Sequence, residues 1–140
     1  MIKNLANIIF IYFFTINGLN AKIEFFQEGV NLFNISKFDE AKFKFEQDIV
    51  YNPKNELSYL YLSKIFNKLD KSELEEQNLN TVMLINPNNE EAIFNLAKLK
   101  LSSSDYKKSK ELNKKLKLIC SNFCGQSENL KIEIENLSEK

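Results

Sequence analysis

Apolar residues along this chain recur at the spacing of helices rather than strands. From residue 57 to 69, Leu57, Leu60, Tyr61, Leu62, Ile65, Phe66 and Leu69 follow at steps that keep returning to one side of an α-helix. Two interruptions are abrupt, at Asn52-Pro53 and at Asn86-Pro87. The residue before a proline is pushed out of the α region and proline offers no N–H, so each pair ends a helix. Softer polar breaks with capping residues, Lys37-Phe38-Asp39-Glu40 and Ser102-Ser103-Ser104-Asp105, fall midway through the repeats. The pattern predicts an all-α chain of short helices in antiparallel pairs.

The breaks are periodic. Ile49-Val50-Tyr51-Asn52-Pro53-Lys54-Asn55-Glu56 returns as Met83-Leu84-Ile85-Asn86-Pro87-Asn88-Asn89-Glu90. The step from Pro53 to Pro87 matches the period of a helix-turn-helix solenoid unit, about 34 residues. One such hairpin cannot bury its own apolar face, so neighbours must stack.

On these residues the chain resembles the tetratricopeptide repeat family. The first unit, 22–55, carries the family's bulky, small and aromatic positions as Phe25, Gly29, Leu32, Phe38, Ala41, Phe45 and Pro53. The second, 56–89, gives Tyr59, Leu62, Ser63, Phe66 and Pro87, but has Glu75 and Leu79 where a small residue and an aromatic are expected. The third, 90–123, gives Leu96, Ala97, Tyr106 and Ser109 and lacks the terminal proline. The resemblance implies an α-solenoid of three hairpins plus a C-terminal capping helix within 124–140. In that cap Leu130, Ile134 and Leu137 form the apolar stripe, and Lys131, Glu133 and Glu135 face water. Small residues let paired helices approach closely, so Glu75 predicts looser or shifted packing in the middle unit.

The resemblance also implies a binding groove lined by the first helix of each unit. Its positions are Ile23, Phe26, Val30 and Phe33 in the first unit and Leu57, Leu60, Lys64 and Asn67 in the second. In the third they are Glu91, Phe94, Lys98 and Leu101. With Phe25 and Leu32 serving the inner face, the first helix is apolar nearly all round. Core, a half-groove for a peptide or amphipathic helix, and a dimer interface all fit that. Lys64, Lys68 and Lys98 place positive charge on the other half. The clamp for acidic C-terminal peptides found in some relatives is not expected, because Phe26 and Val30 stand where Lys and Asn are needed and Glu91 replaces a Lys.

Composition removes most chemistry. The 140 residues hold 19 bases and 19 acids, and every base is Lys. Without His there is no Ser-His or Cys-His pair and no imidazole for zinc; without Arg there is no bidentate fork for phosphate. No Gly-rich phosphate loop or nucleophile elbow is present. The expectation is a binding protein and not an enzyme, with no cofactor, metal or small-molecule substrate, and a protein or peptide as partner. Eight lysines between 98 and 117 face only Asp105 and Glu111. They read as a solvated face or as contact with an acidic partner or anionic surface. Without basic–aromatic interleaving, no nucleic acid is expected.

The first residues look like an address. Lys3 precedes an apolar stretch from Leu5 to Ile16, and Ala21 or Gly18 offers a small residue before a cut. As a helix that stretch spans about 18 Å against a bilayer core of about 30 Å. A cleaved signal peptide, residues 1–21, fits better than a retained membrane anchor or a buried first helix. Export gives a periplasmic or secreted protein; membrane contact follows only if the segment is retained.

Cys120 and Cys124 are the two cysteines. In an oxidising compartment an even pair reads as a disulfide, which needs the helix to break between them, with Gly125 helping. Two free thiols in a reducing compartment, or a redox or soft-metal site in an accessory subunit, are the alternatives.

Overall fold

The computed structural model of the chain describes residues 24–138, and among them the regular structure is helical. Helix α1 covers residues 24–34. It is followed by α2 (Phe38–Tyr51), α3 (Glu56–Lys68), α4 (Ser72–Ile85), α5 (Glu90–Ser102), α6 (Tyr106–Ile119) and α7 (Cys124–Ser138). The expected signal segment 1–21, its cleavage residues Gly18 and Ala21, and the groove position Ile23 lie outside the described residues. The described residues divide into two compact units, one ending at Ser58 and the other beginning at Tyr59.

Local chemistry sets the helix ends. Both Asn-Pro pairs stop a helix: Asn52 and Asn86 leave the α region at φ −136° and −132°, just past the ends of α2 and α4. Asn89 then caps α5, its side chain accepting from the N–H of Ala92 at 2.9 Å, and Asp105 caps α6 through Lys108 at 3.0 Å. The turns inside the hairpins share another device. Ser36, Asp70 and Ser104 all take positive φ (61°, 54° and 62°). The following N–H groups of Lys37, Lys71 and Asp105 each reach back to a carbonyl, of Leu32, Phe66 and Lys100, at 3.0, 2.9 and 2.8 Å. This is the helix-ending bond pattern that ordinarily selects glycine.

In the first unit α2 buries Ala41, Phe45 and Asp48. Gly29 of α1 sits against the Phe45 ring so closely that a Cβ built there would lie 2.7 Å from it. The small residue thus sets how near the helices come. Asp48 is buried but satisfied: Ser58 Oγ donates to its carboxylate at 2.5 Å and Asn55 Nδ2 at 2.6 Å.

In the second unit one continuous core joins Leu60, Leu79, Val82, Ala92, Ile93, Leu96, Leu112, Leu116, Leu130 and Ile134. Each fully buried Leu or Ile stabilises by about 1.5–3 kcal/mol. Helix α5 packs on α4, α6 and α7, and α6 packs on α7. The small pair of this hairpin is in direct contact, Ser109 Oγ donating to the Ala97 carbonyl at 2.8 Å. Glu75 is accommodated rather than displaced. It is 5% exposed, and Asn67 Nδ2 donates to both of its carboxylate oxygens at 3.1 and 3.2 Å.

Helix α7 departs from the expected cap in two ways. Its buried residues are Ser127, Leu130 and Ile134, while Leu137 is 41% exposed, because the helix begins at Cys124 and its inner face runs out one turn before its end. Gly125 is not what breaks the chain, since it lies inside the first turn of α7 with open space where a Cβ would be. The break comes earlier, where Cys120 turns extended at φ −61°, ψ 140°.

Candidate partner-binding site

The first-unit candidates lie along α1 at steps of four and three residues, which places Phe26, Val30 and Phe33 on one side of the helix. All three are half-buried. The Phe26 ring lies 5.8 Å from the Phe45 ring, and Phe33 meets Phe38 edge-on at 5.5 Å. One helical step away Phe25 stacks on Tyr51 at 5.6 Å, and Lys44 lies over Phe25 at 5.3 Å while pairing with Glu28 at 2.5 Å. These aromatic contacts brace α1 against α2. They hold a firm apolar strip whose outer edges still meet solvent.

The second-unit candidates do something different. Leu60 is 3% exposed and belongs to the core, so it lines no surface; its position on α3 places it with Leu79 and Val82 rather than outward. Asn67 is spent on Glu75. Lys64 pairs with Glu91 at 2.7 Å and lies over the Tyr61 ring at 4.9 Å. Lys98 pairs with Glu133 of α7 at 2.9 Å, and Phe94 packs on Phe123 at 5.6 Å. Two of the three lysines expected to carry positive charge, Lys64 and Lys98, therefore face a carboxylate already.

Cys120 and Cys124 are joined, with Cα atoms 5.3 Å apart across the break between α6 and α7. Residues 121–123 between them are held from an unforeseen direction. Glu90, the first residue of α5, accepts from the backbone N–H of Ser121, Asn122 and Phe123 at 2.8, 2.9 and 2.9 Å and from Ser121 Oγ at 2.7 Å. The Ser121 hydroxyl and those N–H groups hold its carboxyl at a pKa of about 2. The third repeat, 90–123, lacks the terminal proline, and Ser121 stands one full repeat after Pro87, where that proline would fall. Its N–H, which a proline would not have, is what Glu90 uses. Elsewhere burial pushes the Glu75 carboxyl up, partly offset by Asn67, and hydrogen bonding with Lys117 lowers Glu128.

Of the lysine-rich stretch, Lys98, Lys100, Lys108 and Lys117 are in ion pairs with Glu133, Glu76, Glu111 and Glu128. Among the described residues no group of three or more His, Cys, Asp or Glu could hold a metal ion. Nor is any described helix long and apolar enough to cross a membrane.

No protein-family model matches the sequence, and no curated protein matches it either. Solved structures do. The first tetratricopeptide domain of Spaghetti (RPAP3), bound to an HSP90 peptide, is similar at TM-score 0.75 and 15% identity, covering 85% of this chain and 94% of that one. The TPR2B domain of yeast Sti1, in a complex with pHsp70, gives 0.78 and 16%, covering 84% and 98%. The Yersinia enterocolitica type III secretion chaperone SycD, with a peptide of the translocator YopD, gives 0.74 and 13%, covering 84% and 93%. At these identities the likeness is one of architecture: the chain has the tetratricopeptide-repeat fold, an all-α repeat of helical hairpins.

Proposed function

We propose that the chain is an exported interaction module that binds a peptide or helix of a partner protein and catalyses nothing itself. The observation that carries this reading is the strip on α1. Phe26, Val30 and Phe33 are only partly buried after the hairpin has packed, on a helix braced by three aromatic contacts. A rigid apolar strip of this kind suits an amphipathic helix or extended peptide laid along it. The peptides present in the similar Spaghetti and SycD structures support the same use.

Export rests on the segment before Ala21 and gains support from the joined cysteines, since disulfides persist in oxidising compartments. Intact mass of the protein from its source cells tests it: a chain lacking residues 1–21 and refusing alkylation agrees, and a full-length chain with two reactive thiols does not. Binding is tested by Phe26→Ser with Phe33→Ser. The variant is expected to keep its helical circular dichroism and lose the partner recovered with the wild type. An intact fold with unchanged recovery sinks the reading.

A further inference from the structure

Helix α7 packs beside α6 as the first helix of a further hairpin would, and among the described residues no second helix follows it. Along their junction runs a cleft of about 160 Å³. Its rim carries Lys110, Lys114 and Lys117 from α6 and Lys131 and Glu135 from α7, and its floor is Asn113 and Ile134. The floor is closed to further polar chemistry, because Asn113 and Ser127 satisfy each other through two bonds of 2.9 Å. What lies open is aliphatic surface under a rim of four ammonium groups and one carboxylate.

That rim is under-compensated. Elsewhere in this unit lysines meet acids at short range, as in Lys64–Glu91, Lys98–Glu133 and Lys100–Glu76 at 2.7, 2.9 and 2.6 Å. Here Lys117 pairs with Glu128 at 3.0 Å, but Lys131 has only loose contacts of 3.8 and 3.9 Å with Glu128 and Glu135. Lys110 and Lys114, one turn apart, form no ion pair among the described residues, and neither do Lys107 and Lys115. Like charges at that spacing repel and weaken a helix. An external anion relieves the repulsion.

From this we infer that the α6–α7 cleft docks an acidic amphipathic helix of a partner protein, its carboxylates between Lys110, Lys114, Lys117 and Lys131 and its aliphatic side chains on Ile134. The occupant is not the chain's own N-terminal segment 1–23, which contains no Asp or Glu. A symmetric second copy would bring the same lysines face to face. A lipid surface is flat and meets the outer lysines without entering a concave floor. The inference stands apart from the α1 strip and does not depend on it.

The test is fluorescence anisotropy with the full chain and a labelled synthetic helix bearing Glu along one edge and Leu along the next. Its counterpart carries Gln in place of Glu. The Glu helix is expected to bind at least about tenfold tighter than the Gln helix, the difference shrinking as salt rises. Lys110→Glu with Lys114→Glu removes that preference, Lys110→Gln with Lys114→Gln weakens it, and a Lys-edged helix then binds the double Glu variant. Lys68→Glu, and Phe26→Ser with Phe33→Ser, leave it unchanged. Equal binding of the two helices, or wild-type affinity in the folded Lys110→Glu, Lys114→Glu variant, overturns the inference. So does preferential binding to anionic vesicles, or self-association that the same charge reversal abolishes.

Discussion

Replacing Gly29 with Ala tests the packing argument, because two effects of known size oppose each other there. In an exposed helix interior the change stabilises by about 1 kcal/mol through backbone propensity alone. At this position the new Cβ would lie 2.7, 2.9 and 3.0 Å from three carbons of the Phe45 ring. Favourable carbon–carbon contact lies near about 3.5–4.0 Å, so ring or helix must yield by the better part of an ångström. Phe45 is fully buried and cannot swing into solvent. Overpacking of this kind costs about 1–3 kcal/mol, so the net expectation is a loss of about 1 kcal/mol. Urea denaturation followed by circular dichroism measures it. On a Phe45→Leu background, where the ring is gone, the same Gly29→Ala change should become neutral or stabilising. If Gly29→Ala stabilises the otherwise unaltered protein by the full propensity gain, the close approach of α1 and α2 does not exist.

Asp48→Ala removes the acceptor of Ser58 and Asn55 and should cost about 2–3 kcal/mol; a loss below about 0.5 kcal/mol in the same denaturation assay contradicts the buried network. Glu90 has a folded pKa of about 2 against an ordinary 4.5, so the carboxylate is the form the fold prefers. Its stability contribution is present above pH 4.5 and disappears as pH falls from there through about 2. A pH series of thermal melts should therefore show an acid limb that Glu90→Gln flattens. Glu75 runs the other way: its raised pKa penalises the ionised form, and the penalty grows as pH rises from the ordinary value of 4.5 through the folded one. Glu75→Gln should therefore stabilise at neutral pH in the same melts while leaving Asn67 an acceptor. Converting Cys120 and Cys124 to Ser should lower stability by about 2 kcal/mol, as expected for a short closed loop. Partner recovery should be unchanged, and a selective loss of recovery would assign the pair a role beyond stapling.

The helix stops were legible because Asn-Pro acts through the backbone of its own neighbours. Asn52-Pro53 and Asn86-Pro87 end helices wherever they stand, and their spacing carried the repeat with them. Interactions between distant positions were not. Glu90 grips N–H groups at the far end of its own repeat, and a carboxylate bonded to backbone leaves no residue pattern there. Lys64 and Lys98 read as unpaired charge because Glu91 belongs to the next repeat and Glu133 to the C-terminal helix. The positive-φ turns at Ser36, Asp70 and Ser104 were hidden by the absence of glycine. Periodicity also assigns faces only to within a fraction of a turn. Leu60 reads as a groove residue and belongs to the core, and Leu137 reads as core and is exposed. Val50, Leu84 and Leu118, each one repeat after the last, are exposed though their spacing alone suggests burial.

The central claim is that the α1 strip takes up a partner segment. Photocrosslinking in the source cells tests it most directly, with a benzophenone amino acid placed at Val30 in one strain and at the exposed Phe43 of α2 in another. The account predicts one discrete protein adduct from the Val30 position, lost when Phe33→Ser is added and absent from the Phe43 position. No adduct from Val30, or the same adducts from both positions, would contradict it.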